Sequence, residues 1–168
     1  MLQHAVLTRG APTSLHLSGL TTEECLWRPA EVGLHVRQAR DGAWHADWPD
    51  REGYDIGPPS IAWLTWHIGF WWSMTLNHTF GDRTLAREHV CWPGSADDVV
   101  AWLERLQTEW RGVLERLTEA DLRSSQQPRW PFPERQPLGD VVAWVNVELT
   151  KNAAEIGYAR FLHAVSAR

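Results

Sequence analysis

The residues best suited to chemistry are one histidine in an aromatic segment and two polar residues far from it in the sequence. His67 lies within residues 61–74, with tryptophans before and after it at Trp63, Trp66, Trp71 and Trp72. Glu148 and Asn152 are four residues apart, so on a helix their side chains share one face. An imidazole, a carboxylate and an amide inside a helical bundle are donor types that a divalent transition metal takes. We therefore predict a metal site formed by His67, Glu148 and Asn152.

A structural interpretation of the same three residues stays open at this stage. A buried histidine is more often hydrogen-bonded to a carbonyl or carboxylate than bound to a metal. In this interpretation Glu148 pairs with Lys151 or Arg160, and Asn152 caps a polar network. Asn152 is a weak metal ligand and is equally suited to a polar network. Spacing alone does not decide between a metal site and such a network.

Composition limits the classes of function that the chain can serve. With 168 residues, 43% apolar and 22% charged, we expect one globular domain over residues 1–168 with a sizeable core. The net charge of −5, without a dense basic patch, argues against nucleic acid as a partner. No apolar stretch reaches the roughly 20 residues that cross a bilayer, so no membrane partner is expected. Cys25 and Cys91 form no disulfide or metal-binding pattern, and we expect a cytoplasmic protein in which both are small buried residues.

Hydrophobic spacing predicts an all-α fold, a four-helix bundle with a small hairpin or ordered loop between the first and second main helices. Leu2, Val6 and Leu7 indicate a first helix, interrupted at Gly10 and Pro12. A short connecting helix is expected from an N-cap in residues 21–24 to about Trp27. Between Leu34 and Trp48 the period of the sequence pattern changes to two residues, on both sides of the turn dipeptide Asp41-Gly42, which favours the hairpin.

Three further main helices are expected, and they carry the candidate site. The Trp-rich helix should run from Ser60 to about Phe80, and the next from Ser95 to about Leu117. Residues 91–94 indicate a turn, and residues 118–121 indicate a cap for one more helical turn. The last helix should run from about Leu138 to Ala167, burying Val141, Val142, Val145, Leu149, Ile156 and Phe161.

Three short motifs resemble the DinB superfamily, and the resemblance covers nearly the whole chain. They are GLTTEECLWRP at residues 19–29, WHIG at 66–69 and NAAEIG at 152–157. The resemblance implies a bundle whose metal is held by a histidine of the second helix and an i, i+4 pair of the last. That pair is His and His in most members, and Glu and His in the isomerase branch. Here His67 and Glu148 match, whereas Asn152 replaces the expected histidine.

The resemblance also implies a class of activity. It points to a metal-dependent transferase or isomerase that uses a low-molecular-weight thiol, similar to the mycothiol-dependent maleylpyruvate isomerase, with a divalent metal such as zinc or nickel. The metal would lower the pKa of a coordinated thiol or water, and a Trp-lined pocket would hold a small-molecule substrate. Two alternatives are a non-catalytic helical homodimer and a binding protein for a hydrophobic small molecule, each with a degenerate metal site.

Overall fold

The computed structural model describes residues 16–51, 53–126 and 129–166. The first predicted helix lies outside these residues. The connecting helix is confirmed as α1 (Thr22–Leu26). It begins at Thr21, whose hydroxyl accepts a hydrogen bond from the Glu24 N–H at 3.1 Å, as expected of an N-cap.

The hairpin is confirmed. Residues 91–94, which were predicted to form only a turn after the Trp-rich helix, also pair with this hairpin. Strands β1 (Val36–Gln38) and β2 (Trp44–Ala46) pair antiparallel around Gly42, whose φ of 88° suits glycine. In residues 91–94 the Trp92 N–H donates to the Trp44 carbonyl at 2.9 Å, forming an isolated antiparallel bridge. The turn prediction was therefore incomplete. The free edge of β2 pairs with residues 91–94, which lie far from β2 in the sequence.

The Trp-rich helix, α2 (Ile61–Thr75), lies at the centre of the molecule. It starts at the N-cap Ser60 and continues through a π-helical segment, Leu76–Phe80. All its residues are buried except the half-buried Trp71 and Ser73. The sequence pattern predicted one inward-facing stripe, whereas the structure covers most of the circumference and leaves α2 partly accessible at Trp71 and Ser73, in keeping with an apolar helix that has no polar face.

Helix α3 (Ala96–Leu114) packs against one side of α2. Its N-cap is Ser95, as predicted, but it ends at Leu114 rather than continuing to Leu117. The predicted extra turn is α4 (Glu119–Arg123), which has a capping box between Thr118 and Asp121. Two 3₁₀ turns, Tyr54–Ile56 and Arg87–His89, lie in the loops before and after α2.

Helix α5 (Leu138–Ser166) packs against the other side of α2. Its buried face contains Val141, Val142, Val145 and Ile156, as predicted. Phe161 was wrongly included in that face, because its side chain is 73% exposed. Within the described ranges, no helix combines the length and the apolar character that a membrane crossing requires.

Candidate functional site

His67 of α2 and Asn152 of α5 are in direct contact across the interface between these helices. The Asn152 side-chain amide lies 2.9 Å from His67 Nδ1, although the two residues are 85 positions apart. His67 is 7% exposed and Asn152 is completely buried. Two of the three predicted site residues are thus brought together in the core.

The second ring nitrogen of His67 is also occupied. The Trp71 indole N–H, one helical turn further along α2, donates to His67 Nε2 at 2.9 Å. On the other side, the Trp63 ring stacks on the imidazole with a centroid distance of 4.5 Å and an interplanar angle of 20°. The imidazole is therefore held on both nitrogens and on one face.

These contacts determine which nitrogen of His67 carries the hydrogen. An indole N–H is only a donor, so Nε2 must accept and the hydrogen of the neutral ring must be on Nδ1. The structure places Asn152 Nδ2 nearest to Nδ1, but Nδ1–H needs an acceptor, so we assign the Asn152 amide with its oxygen toward the ring. With the amide nitrogen toward the ring instead, Asn152 Oδ1 has no partner within the described residues, a costly state for a buried acceptor.

The His67 ring is neutral at physiological pH. Burial, with a smaller contribution from the nearby Lys151 cation, lowers its pKa from the ordinary value of 6.5 to about 3, whereas the hydrogen bond with Asn152 acts in the opposite direction. A neutral ring agrees with one donor and one acceptor nitrogen. His67 thus has no free lone pair for another ligand.

Glu148, the third predicted site residue, is directed into an ion pair on its own helix. Its carboxylate lies 2.8 Å from Lys151 Nζ, with the Glu148 side chain 20% exposed and the Lys151 side chain 50% exposed. This is one of the two partners that the structural interpretation named. The other, Arg160, instead binds Glu24 at 2.8 Å and so links α5 to α1. No contact between Glu148 and His67 is found in the described structure.

A cluster of aromatic rings covers the Trp71 side of the imidazole. The Trp71 ring meets Trp144 of α5 edge-on at 4.4 Å and Trp130 of the preceding loop at 5.0 Å. Phe132 packs on Trp144 at 5.3 Å. We call Trp71, Trp130, Phe132 and Trp144 the aromatic cover. The Trp-lined substrate pocket stays a prediction.

The donors as arranged do not fit a bound metal. Both His67 nitrogens have hydrogen-bonding partners, Trp71 and the Asn152 amide, and Glu148 is paired with Lys151. Within residues 16–51, 53–126 and 129–166, no three His, Cys, Asp or Glu side chains are grouped so that they could hold a metal ion. The assignment of His67, Glu148 and Asn152 as metal ligands stays a prediction.

Sequence reasoning missed Trp71 as a functional partner, although a signal was present. Trp71 is four residues after His67, the spacing at which helix side chains meet, and a buried indole needs an acceptor. Three neighbouring indoles also find acceptors: Trp63 donates to the Asp47 carbonyl, Trp66 to the Val90 carbonyl and Trp92 to the Thr65 hydroxyl. Each of these acceptors is far in sequence from the tryptophan that donates to it, whereas His67 is only four residues from Trp71. The buried Trp72 indole has no acceptor within the described residues.

Two open clefts lie on the opposite side of α2, along α3, and neither is lined by His67. Each has a volume of about 460 Å³ and is open to solvent. Ser73 lines both. The first cleft includes Leu85, His89, Cys91, Asp98, Trp102 and Arg105. The second includes Leu76, Phe80, Leu106, Glu109, Val113 and Arg116.

The fold and the site define a helical-bundle protein with a histidine-centred polar network in its core. Comparison with known families is more specific. The family model described as DinB superfamily matches residues 8–156, and the chain belongs to this superfamily. The match includes His67, Glu148 and Asn152. No curated protein and no solved structure matches the chain.

Proposed function

We propose that this chain is a DinB-superfamily protein whose bundle centre works without a metal, and that it binds small molecules in the clefts between α2 and α3. The observation that carries the proposal is the hydrogen bond of 2.9 Å from Trp71 to His67 Nε2. It takes the lone pair that a metal would need. Metal coordination by the neutral His67 tautomer would require Trp71 to leave the aromatic cover.

The metal-dependent, thiol-using transferase or isomerase is the competing function. Its support is family membership, since DinB-superfamily proteins often bind a metal, together with the placement of His67 beside α5. Against it stand the pairing of Glu148 with Lys151 and the replacement of the expected histidine by Asn152. The homodimer implied by the resemblance stays a prediction.

Metal content decides between the two functions. Protein purified without a metal-chelating tag should contain no stoichiometric metal by elemental analysis. Its melting temperature should not change with a chelator, zinc or nickel, because no donor set is available. One bound ion per chain, together with a lower melting temperature in the presence of a chelator, would overturn the metal-free centre.

A pair of double variants tests the specific role of Trp71. Trp71→Phe with Asn152→His frees His67 Nε2 and adds a second imidazole, so zinc should raise the melting temperature. Trp144→Phe with Asn152→His removes an indole from the same aromatic cover but leaves the Trp71 hydrogen bond in place, and zinc should have no effect. Equal zinc binding by both double variants would show that Trp71 does not block the site.

The clefts are the better candidates for a ligand, because they are open whereas the centre is filled. Both place apolar side chains beside charged ones, the composition expected for small organic molecules with one polar end. Ser73→Leu should fill part of both clefts and abolish the stabilisation given by ligands found in a panel of aromatic carboxylates. Thr108→Leu, at an exposed position of α3, is the control. Ligand shifts that persist in Ser73→Leu would place binding elsewhere.

A further inference from the structure

Cys91 and His45 face each other across the backbone bridge that the hairpin makes with residues 91–94. Since Trp44 and Trp92 are bridged in antiparallel fashion, His45 lies opposite Cys91. His45 Nδ1 is 4.0 Å from Cys91 Sγ. His45 is exposed and Cys91 is half-buried, so an external reagent can reach the pair. A thiol beside an imidazole is a common arrangement for an activated sulfur nucleophile.

Cys91 of this pair lines a cleft that also contains a cation, Arg105. Cys91 and Arg105 line the same cleft of about 460 Å³. Asp98, the acidic residue of that lining, accepts a hydrogen bond from the Ser95 hydroxyl at 2.6 Å. Within the part of the chain that the structure describes, Arg105 has no ion pair or hydrogen bond. Its guanidinium is thus available to an anionic group, for which a carboxylate has the matching geometry.

We propose that Cys91 exchanges with small disulfides that carry a carboxylate, with His45 accepting the thiol proton and Arg105 holding the carboxylate. This inference rests on the small-molecule binding proposed for this cleft, and it does not depend on whether the bundle centre binds a metal. The product is a mixed disulfide between Cys91 and one half of the reagent.

The exchange is balanced in atoms and electrons. The Cys91 proton moves to His45, and the thiolate attacks one sulfur of the disulfide. A new S–S bond forms to Cys91 as the original S–S bond breaks, and the second half leaves as a thiolate that takes the proton from His45. Cys91 and the leaving sulfur exchange oxidation state, so the small disulfide is the only oxidant needed.

Cys25 provides an internal comparison. Its side chain is completely buried in the core, and burial, with a smaller contribution from the Glu24 carboxylate, raises the pKa of its thiol to about 12. A thiol in this state forms little thiolate and has no access to a reagent. Reaction of the folded protein should therefore be confined to Cys91.

The test follows the reaction rate of the folded chain with dithiobis(nitrobenzoate), which carries two carboxylates, and with the uncharged bis(hydroxyethyl) disulfide. His45→Gln should slow both reactions about fivefold near neutral pH, the effect that an exposed charged pair supports. The difference should vanish near about pH 10, where free thiols ionise without help. Arg105→Met should slow only the carboxylate reagent, by a similar factor.

Three outcomes would overturn the proposal. They are equal rates for wild type and His45→Gln at every pH, an equal effect of Arg105→Met on the two reagents, and an undiminished rate for Cys91→Ser. Failure of the cleft itself is distinguishable, because Cys91→Ser keeps the cleft but cannot react. If the unreactive nitrobenzoate stabilises Cys91→Ser as much as wild type, the cleft binds small molecules whatever the exchange experiment shows.

Discussion

The two sides of α2 differ in how they are filled, and the difference follows from two pairs of residues. His67 and Trp71 are one helical turn apart and face α5, whereas Gly69 and Ser73, also one turn apart, lie toward α3. An offset of two residues is a rotation of about 200°, so the pairs occupy nearly opposite faces. Large side chains on one face close the interface, and small ones on the other leave clefts beside it.

Gly69 shows how the open side is built. A Cβ atom at this position would lie 2.0 Å from the Trp102 ring, so only glycine allows that ring to lie against the helix. Trp102 forms part of the wall of the first cleft. Ser73, one turn later, is too small to occupy the space beyond the ring. The same helix therefore has a closed polar centre on one side and an accessible surface at Ser73 on the other.

Chemical reactivity should follow this division. On the closed side, burial keeps His67 neutral and its two nitrogens are hydrogen-bonded, which leaves it no proton or lone pair to exchange. On the open side, Cys91, His45 and Arg105 keep contact with solvent.

Loss of the Asn152 amide should have the largest effect. Asn152→Ala removes the acceptor for His67 Nδ1–H and leaves a cavity in the core, so the free energy of unfolding should fall by about 3 kcal/mol. Denaturant titration measures this loss. Asn146→Ala on the same helix is the control and should change the free energy by less than about 0.5 kcal/mol. An effect of Asn152→Ala as small as that of the control would show that His67 does not need this partner.

Filling the space beside Gly69 should have the next largest effect. Gly69→Ala gains helix propensity, but it forces the Trp102 ring away from α2, and we expect a net loss of about 2 kcal/mol in the free energy of unfolding. Gly112→Ala is the matched control, because the nearest atom to a Cβ there is the flexible end of Arg116, at 3.6 Å. That control should gain up to about 1 kcal/mol. Stabilisation of both variants in thermal melts would contradict the packing argument.

Much of the fold followed from local signals in the sequence. The N-caps Thr21, Ser60 and Ser95 and the turn at Gly42 marked element boundaries correctly, because their hydrogen bonds or dihedral angles involve residues only a few positions away. The bridge between Trp44 and Trp92 was missed for the opposite reason. Its partners are distant in sequence, and neither segment has a pattern that selects the other.

The candidate site was predicted only in part, because residue type and spacing do not determine where a side chain points. The meeting of His67 with Asn152 was expected from helix faces. The ion pair of Glu148 with Lys151 was one of two open alternatives, and the contact between Cys91 and His45 was not anticipated. The aromatic cover depends on Trp130 and Phe132 in a proline-containing loop, whose path has no periodic signal.

Acid should destabilise the closed side through His67. Its pKa is about 3 in the folded chain and near 6.5 when unfolded, so the unfolded state binds more protons between these values and stability falls as the pH falls below 6.5. From pH 6.5 to pH 5 this contributes a loss of about 1.5 kcal/mol.

His67→Phe provides the comparison for this pH dependence, because it keeps an aromatic ring and removes the titrating group. The free energy of unfolding of wild type should fall more than that of His67→Phe over the same range. The contributions of the carboxylates, which both proteins share, cancel in the difference. Equal pH dependence of the two proteins would mean that His67 is accessible to protons, and the centre would not be closed.

Glu148 lies at the edge of the closed side and should have the smallest effect. Its partner Lys151 is half exposed, so solvent screens the pair and Glu148→Gln should cost about 0.5 kcal/mol in unfolding free energy. The value should be the same with and without a chelator, because a salt bridge needs no metal. If Glu148 were instead a ligand, Glu148→Gln would release a bound ion and lower the melting temperature only in metal-loaded protein. Calorimetry of this one variant, with and without zinc, therefore distinguishes an ion pair at the helix surface from a ligand of the bundle centre.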